Sequence, residues 1–181
     1  MNYQRIVDTA SDILRKFNLL SSPVNLTLLT EKLNVSLHIE PLEREISGML
    51  VCKSGKNHII INSTHPQTRQ RFSIAHELGH FHLHHQNNGD NLFVDRQYQI
   101  YRRVGSATDS SYKAESSSTT PQQEKEANIF AGALLMPEEL IQEYLRKHKI
   151  EFLDETKIAK FARAFNVSEQ AATIRLMNFD F

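Results

Sequence analysis

The spacing of apolar side chains over the first 35 residues predicts two helices. Between Tyr3 and Leu19, apolar positions recur every three or four residues and so share one face of an amphipathic helix. A second, shorter run of this kind follows Pro23 and ends at Asn34. The apolar positions of the first run are Ile6, Val7, Ala10, Ile13, Leu14 and Phe17.

The pattern then changes to one that is typical of strands. Apolar and polar residues alternate over 35–39, and short apolar runs occupy 49–52 and 59–61. The intervening segment 53–57 contains Ser-Gly and predicts a hairpin turn. We therefore expect a small, mainly antiparallel sheet over residues 35–62.

Helical spacing returns at Pro66 and continues to about His85. The segment 86–123 sustains no amphipathic period and is rich in Ser and Thr. We therefore interpret most of it as a mobile surface insertion, with a short strand at 92–94.

Four further helices are predicted after this segment. One covers 122–136, and Pro137 starts the next. Two short helices follow near 154–165 and 169–178, and Ser168 caps the last of them. The sequence thus favours an α+β fold class in which a small sheet is surrounded by helices.

The amino-acid composition limits the classes of binding partner and the cellular compartment that we expect. Lys and Arg total 21, as do Asp and Glu, so a net charge of zero gives no global attraction to nucleic acid or to an anionic membrane. The single cysteine, Cys52, cannot form an internal disulfide and is interpreted as a buried small hydrophobe. Neither an apolar N-terminal leader nor a run of roughly 18 apolar residues is present, so we expect a cytoplasmic protein with no membrane partner.

The predicted helix after Pro66 carries an HExxH motif, His76-Glu77-Leu78-Gly79-His80. Positions i and i+4 of a helix project from the same face, so both imidazoles can reach one Zn²⁺. Glu77 is offset by about 100° around the helix axis, which suits a general base acting on a metal-bound water. Gly79 permits another backbone to approach this helix closely.

A catalytic zinc needs a third protein ligand. The metzincin extension is excluded because Leu83 and Gln86 stand where it requires Gly and His. A carboxylate on the 122–136 helix is the remaining common solution, and Glu124 shares its face with Asn128, which could hydrogen-bond a ligating histidine. Glu126 is expected to face solvent and is kept as the reserve ligand.

Two separated strings resemble the ImmA/IrrE family of zinc-dependent metallopeptidases: RQRFSIAHELGH over 69–80 and EKEANIFAGALLMP over 124–137. The resemblance extends from the second helix to about Leu145, and 59–62 resembles the strand that precedes the active-site helix. It implies a zincin-like α+β domain with a gluzincin-type site. In that site His76, His80 and Glu124 would bind zinc, and Glu77 would be catalytic.

The resemblance also implies a biological role. It suggests an endopeptidase that relieves repression by cleaving a helix-turn-helix repressor in a phage, mobile-element or stress-response circuit. Two alternatives stay open. The chain could be a non-catalytic, zinc-containing transcriptional or partner-binding regulator, or a hydrolytic toxin controlled by an antitoxin.

Two features of substrate handling are left as expectations. The oxyanion donor is open among Tyr98, Tyr101, Tyr112 and His82. The sheet edge near 59–62 is expected to bind an extended substrate by strand addition.

The sequence predicts two parts, a metallopeptidase domain over 1–148 and a helical appendage over 149–181. The apolar residues of the appendage have the spacing of a helix-turn-helix, and Arg175 is a candidate for phosphate contact. Because acidic residues balance its basic ones, we favour packing on the protease core or on a protein partner over DNA binding.

Overall fold

The computed structural model describes residues 1–84, 91–96, 120–149 and 154–179. Within them the chain forms seven helices and four strands, in the order that the apolar pattern predicts. The helices are α1 (Tyr3–Lys16), α2 (Leu26–Lys32), α3 (Gln67–His84), α4 (Pro121–Leu135), α5 (Glu138–Lys147), α6 (Glu155–Phe165) and α7 (Glu169–Met177). The strands are β1 (Val35–Glu40), β2 (Ile46–Lys53), β3 (Lys56–Asn62) and β4 (Asn91–Arg96).

The four strands form one sheet in the order β1-β3-β2-β4. β2 pairs antiparallel with both β3 and β4, whereas β1 pairs parallel with β3. The hairpin between β2 and β3 turns at Ser54 and Gly55, which both have positive φ, as tight hairpin turns require. The expected α+β fold with a small, mainly antiparallel sheet is confirmed.

This strand order corrects the expected substrate edge. Residues 59–62 lie on β3, which is hydrogen-bonded to β1 on one side and to β2 on the other. Strand addition needs unpaired backbone groups, so this segment does not provide them. Among the described strands, the edges of the sheet are β1 and β4.

Two parts of the segment 86–123 form regular structure. Residues 91–96 form β4, which includes the short strand expected at 92–94. Thr120 caps α4 in a capping box with Gln123, so α4 already includes 121–123. The rest of the segment lies outside the described residues.

Helix α3 packs on the sheet and α4 packs closely on α3, and these two helices position the site. α3 contacts β2 and β3, and α4 packs against α3 and α1. A methyl group at Gly79 would lie 3.0 Å from Cα and 3.1 Å from the carbonyl oxygen of Ala127. Glycine is therefore required where these two helices cross, as expected of Gly79.

The two C-terminal helices share the hydrophobic core of the rest of the chain. Phe161 and Phe165 of α6 are fully buried, and both rings contact Tyr144 of α5. Arg175 of α7 is also buried, so the phosphate contact considered for it is not available. No helix in the described parts of the chain combines the length and apolar character needed to cross a membrane.

Candidate metal centre

The structure brings His76, His80 and Glu124 together between α3 and α4. The Nε2 atoms of the two histidines are 3.0 Å apart. Glu124 places Oε2 3.3 Å from Nε2 of His76 and Oε1 3.4 Å from Nε2 of His80. Both histidines are buried, and Glu124 is mostly buried.

These separations match those of ligands around a single zinc ion. Two ligand atoms about 2.05 Å from a tetrahedral Zn²⁺ lie roughly 3.3 Å apart. Two imidazoles and one carboxylate are also a common donor set for a catalytic zinc, because they leave one coordination position open. The three side chains therefore fit the metal in number, chemistry and spacing.

Asn128 fixes the orientation of one imidazole. Its Oδ1 lies 3.0 Å from Nδ1 of His76, so the ring nitrogen donates and the amide oxygen accepts. With Nδ1 protonated, Nε2 of His76 keeps its lone pair toward Glu124 and His80. The contact expected between Asn128 and a histidine of the motif is thus present.

Glu77 is fully buried and packs against strand β2. A methyl group at Gly48 would lie 3.2 Å from Oε1 of Glu77 and 3.0 Å from Cδ1 of Ile61. Gly48 therefore leaves the space that this carboxylate occupies. No pattern in the sequence predicted this contact, because it joins a strand and a helix that are distant along the chain.

Glu126 is not a solvent-facing reserve ligand. Its side chain is buried, and its carboxylate pairs with the N-terminal ammonium of Met1 and accepts a hydrogen bond from Gln122 at 2.8 Å. The preference for Glu124 over Glu126 as the residue near the histidines agrees with the cluster, but the expected exposure of Glu126 was wrong. Glu126 is buried because α1 covers this side of α4.

The remaining candidates lie outside the three-residue cluster. The His82 ring packs against Phe130, and burial is the main cause of its lowered pKa. Burial also raises the pKa of the Cys52 thiol to about 11, so this side chain stays protonated and is unsuited to metal binding. Tyr98, Tyr101 and Tyr112 lie outside the described residues.

A cavity of about 710 Å³ lies beside the cluster, and both His76 and Glu124 line it. Its walls come from α3, α4 and α7, with Tyr3 of α1 and Ser47 of β2 also lining it. Arg69 donates a hydrogen bond to Ser47 at 2.9 Å within this wall. The cluster is therefore next to a space large enough for a ligand.

A helix with HExxH histidines, a carboxylate from a second helix and a cavity beside them together define the metallopeptidase class. A family model described as the IrrE N-terminal-like domain, Peptidase_M78, matches residues 30–177. The chain belongs to this family, which is one of metal-dependent peptidases. No curated protein matches the chain at a significant level.

Proposed function

We propose that this protein is a zinc-dependent endopeptidase in which His76, His80 and Glu124 hold the metal and Glu77 is the general base. The observation that best supports this is the convergence of three donor side chains, whose nitrogen and oxygen atoms lie 3.0, 3.3 and 3.4 Å from one another. Zn²⁺ bound there would act as a Lewis acid on the peptide carbonyl and lower the pKa of its water from about 15.7 toward 7.

The protein's own residues supply the proton transfers. The Glu77 carboxylate takes a proton from the attacking water as the new C–O bond forms. It returns that proton to the amine when the peptide C–N bond breaks. The hydrogen bond between Asn128 and His76 keeps the imidazole ring oriented throughout.

We further propose that the substrate is a helix-turn-helix transcriptional repressor in a cytoplasmic phage, mobile-element or stress-response circuit. The family resemblance of the two sequence strings supports this assignment. The net charge of zero also favours a protein over a polyanion as the partner.

The test is to incubate the zinc-loaded protein with the repressor encoded beside its gene. We expect a discrete cleavage product, identified by mass spectrometry, that is lost on chelation and in Glu77→Gln. The matched control Glu143→Gln, which changes an exposed residue on α5, should cleave like the wild type.

Two other outcomes would support different functions. An intact repressor under all conditions would contradict the proposal and favour the zinc-containing regulator. Growth arrest on expression that is lost in Glu77→Gln, without repressor cleavage, would favour the toxin.

A further inference from the structure

The cavity beside the metal centre follows one face of α4. Glu124, Asn128, Gly132 and Met136 line it and are spaced four residues apart. At 1.5 Å per residue, this stripe extends about 18 Å from the metal cluster to the C-terminal end of the helix. The cavity is therefore continuous with the metal centre.

Each of the three helices contributes a large apolar side chain to the wall of the cavity. Phe72 on α3 and Ile129 on α4 are half-buried, while Ile174 on α7 is 56% exposed. A large aliphatic side chain that is exposed inside a cavity favours an apolar ligand. Gly132 leaves room between these walls, since a methyl group there would meet only Cδ of Arg175, at 3.9 Å.

The wall formed by α7 is fixed in place by Arg175. Its Nε donates to the carbonyl oxygen of Met136 at 3.2 Å, and its Nη1 donates to the hydroxyl of Tyr3 at 2.9 Å. Nη2 reaches Oε1 of Glu138 at 3.4 Å. Since these bonds connect α7 to α4 and α1, Ile174 is held at a defined position beside the cavity.

We propose that this cavity is a specificity pocket for a bulky apolar side chain of the polypeptide substrate, close to the cleaved bond, and that Ile174 and Gly132 set its size. This assignment of the pocket depends on the proposed peptidase function. A polypeptide is the occupant because the cavity opens onto the metal centre. Nucleic acid is disfavoured because two of the three Arg and Lys side chains that line the cavity are engaged within the protein: Arg175 is buried, and Arg69 donates to Ser47.

The volume agrees with this assignment. About 710 Å³ lies within the roughly 300–1,000 Å³ typical of ligand sites, which is enough for one large side chain and part of the adjoining backbone. Filling the space beside Gly132 should therefore exclude large side chains while leaving the metal cluster intact.

The test uses the zinc-loaded full chain and a library of internally quenched peptides that vary at each position around the cleaved bond. The wild type should prefer Leu, Ile, Met or Phe at one position next to that bond. Gly132→Leu should lower kcat/KM for those peptides by roughly 10- to 200-fold and shift the preference to Ala or Gly. Its zinc content should not change.

Two further variants, a second substitution in the cavity wall and a control on the same helix, complete the test. Ile174→Asp places a charge in the wall at an exposed position, and it should cause a loss of similar size even if Gly132→Leu folds poorly. Met177→Ala is the control on the same helix, because Met177 is 82% exposed and does not line the cavity. It should retain the wild-type kcat/KM and preference.

Binding of labelled peptides to the Glu77→Gln protein separates the two proposals. Selective binding of apolar peptides, lost in Ile174→Asp but without cleavage by the wild type, would reject the peptidase and keep the pocket. Cleavage whose preference is unchanged in both pocket variants would reject the pocket alone. Binding of a labelled DNA duplex that Ile174→Asp abolishes would also reject it and assign the surface to nucleic acid.

Discussion

At the scale of single residues, the two acidic side chains near the start of α4 have different roles. Glu124 meets the histidines of α3, whereas Glu126 is buried and pairs with the N-terminal ammonium. They are two positions apart, so they point to different sides of the helix. The element that packs on each side of α4 decides whether the carboxylate on that side faces a metal or a positive charge.

Replacing these residues by glutamine should separate the roles. Glu124→Gln should weaken zinc binding by 10-fold or more, because a charged oxygen donor is lost from the cluster. Glu126→Gln should instead lower the free energy of unfolding by about 1–3 kcal/mol through loss of a charge-assisted bond, with zinc affinity nearly unchanged. Competition titration with a zinc chelator and denaturant melts measure the two quantities. The reverse ranking of zinc affinities would transfer the ligand role to Glu126.

Gly48 gives a second prediction at this scale. The Gly48→Ala methyl would press on Oε1 of Glu77 from 3.2 Å, so the carboxylate must move. The shift needed is a few tenths of an ångström, and since a misplacement of about 1 Å can cost roughly 100-fold in rate, we expect kcat to fall by a smaller factor, about 3- to 10-fold. Zinc content should stay at the wild-type level. A wild-type kcat would show that the position of Glu77 does not depend on Gly48.

At the scale of elements, local patterns predicted the helices well and long-range pairing poorly. The HExxH spacing on α3 and the face shared by Glu124 and Asn128 are properties of single helices, and the need of a catalytic zinc for a third ligand predicted that these two faces meet. The parallel pairing of β1 with β3 joins strands that are not adjacent in sequence, which is why 59–62 was wrongly taken as an edge. The predicted start of α4 at 122 was one residue late, because Thr120 and Gln123 form a capping box that the apolar spacing does not reveal.

Two helical glycines offer a matched pair at this scale. Gly79→Ala forces α3 and α4 apart, because its methyl would lie 3.0 Å from Cα of Ala127. Such overpacking costs about 1–3 kcal/mol, more than alanine gains in helix propensity at an unobstructed position. Gly132→Ala meets no such obstacle and should stabilise the protein by up to about 1 kcal/mol.

Thermal melts with and without zinc measure this pair. We expect Gly79→Ala to lower Tm and to reduce zinc affinity, since it separates the helices that carry the ligands. Gly132→Ala should raise Tm slightly and leave zinc affinity unchanged. Equal effects of the two substitutions would contradict the close packing of α3 on α4.

At the scale of the whole molecule, the half-buried Arg71 and the buried Arg175 connect the C-terminal helices to the rest of the chain. Arg71 of α3 donates to the carbonyl oxygens of Asn166 and Val24, at 3.1 and 3.0 Å. Arg175 bonds to Met136 and Tyr3 from α7. The sequence suggested a surface role for Arg175, and only the three-dimensional contacts show that its donors are used internally.

Arg175→Met should therefore loosen α7 rather than remove a phosphate contact. The carbonyl of Met136 and the hydroxyl of Tyr3 would each lose a charged donor, with an expected destabilisation of about 2–4 kcal/mol. Hydrogen exchange followed by mass spectrometry should show faster exchange concentrated in 169–179. Unchanged exchange there would mean that the packing of α6 and α7 alone holds the helix.

The central claim is that two histidines of α3 and one glutamate of α4 bind a single zinc ion. Elemental analysis of the purified chain after dialysis against zinc tests it most directly. The account predicts about one zinc per chain in the wild type and almost none in the double variant His76→Ala/His80→Ala. Full zinc occupancy in that folded double variant would contradict the claim.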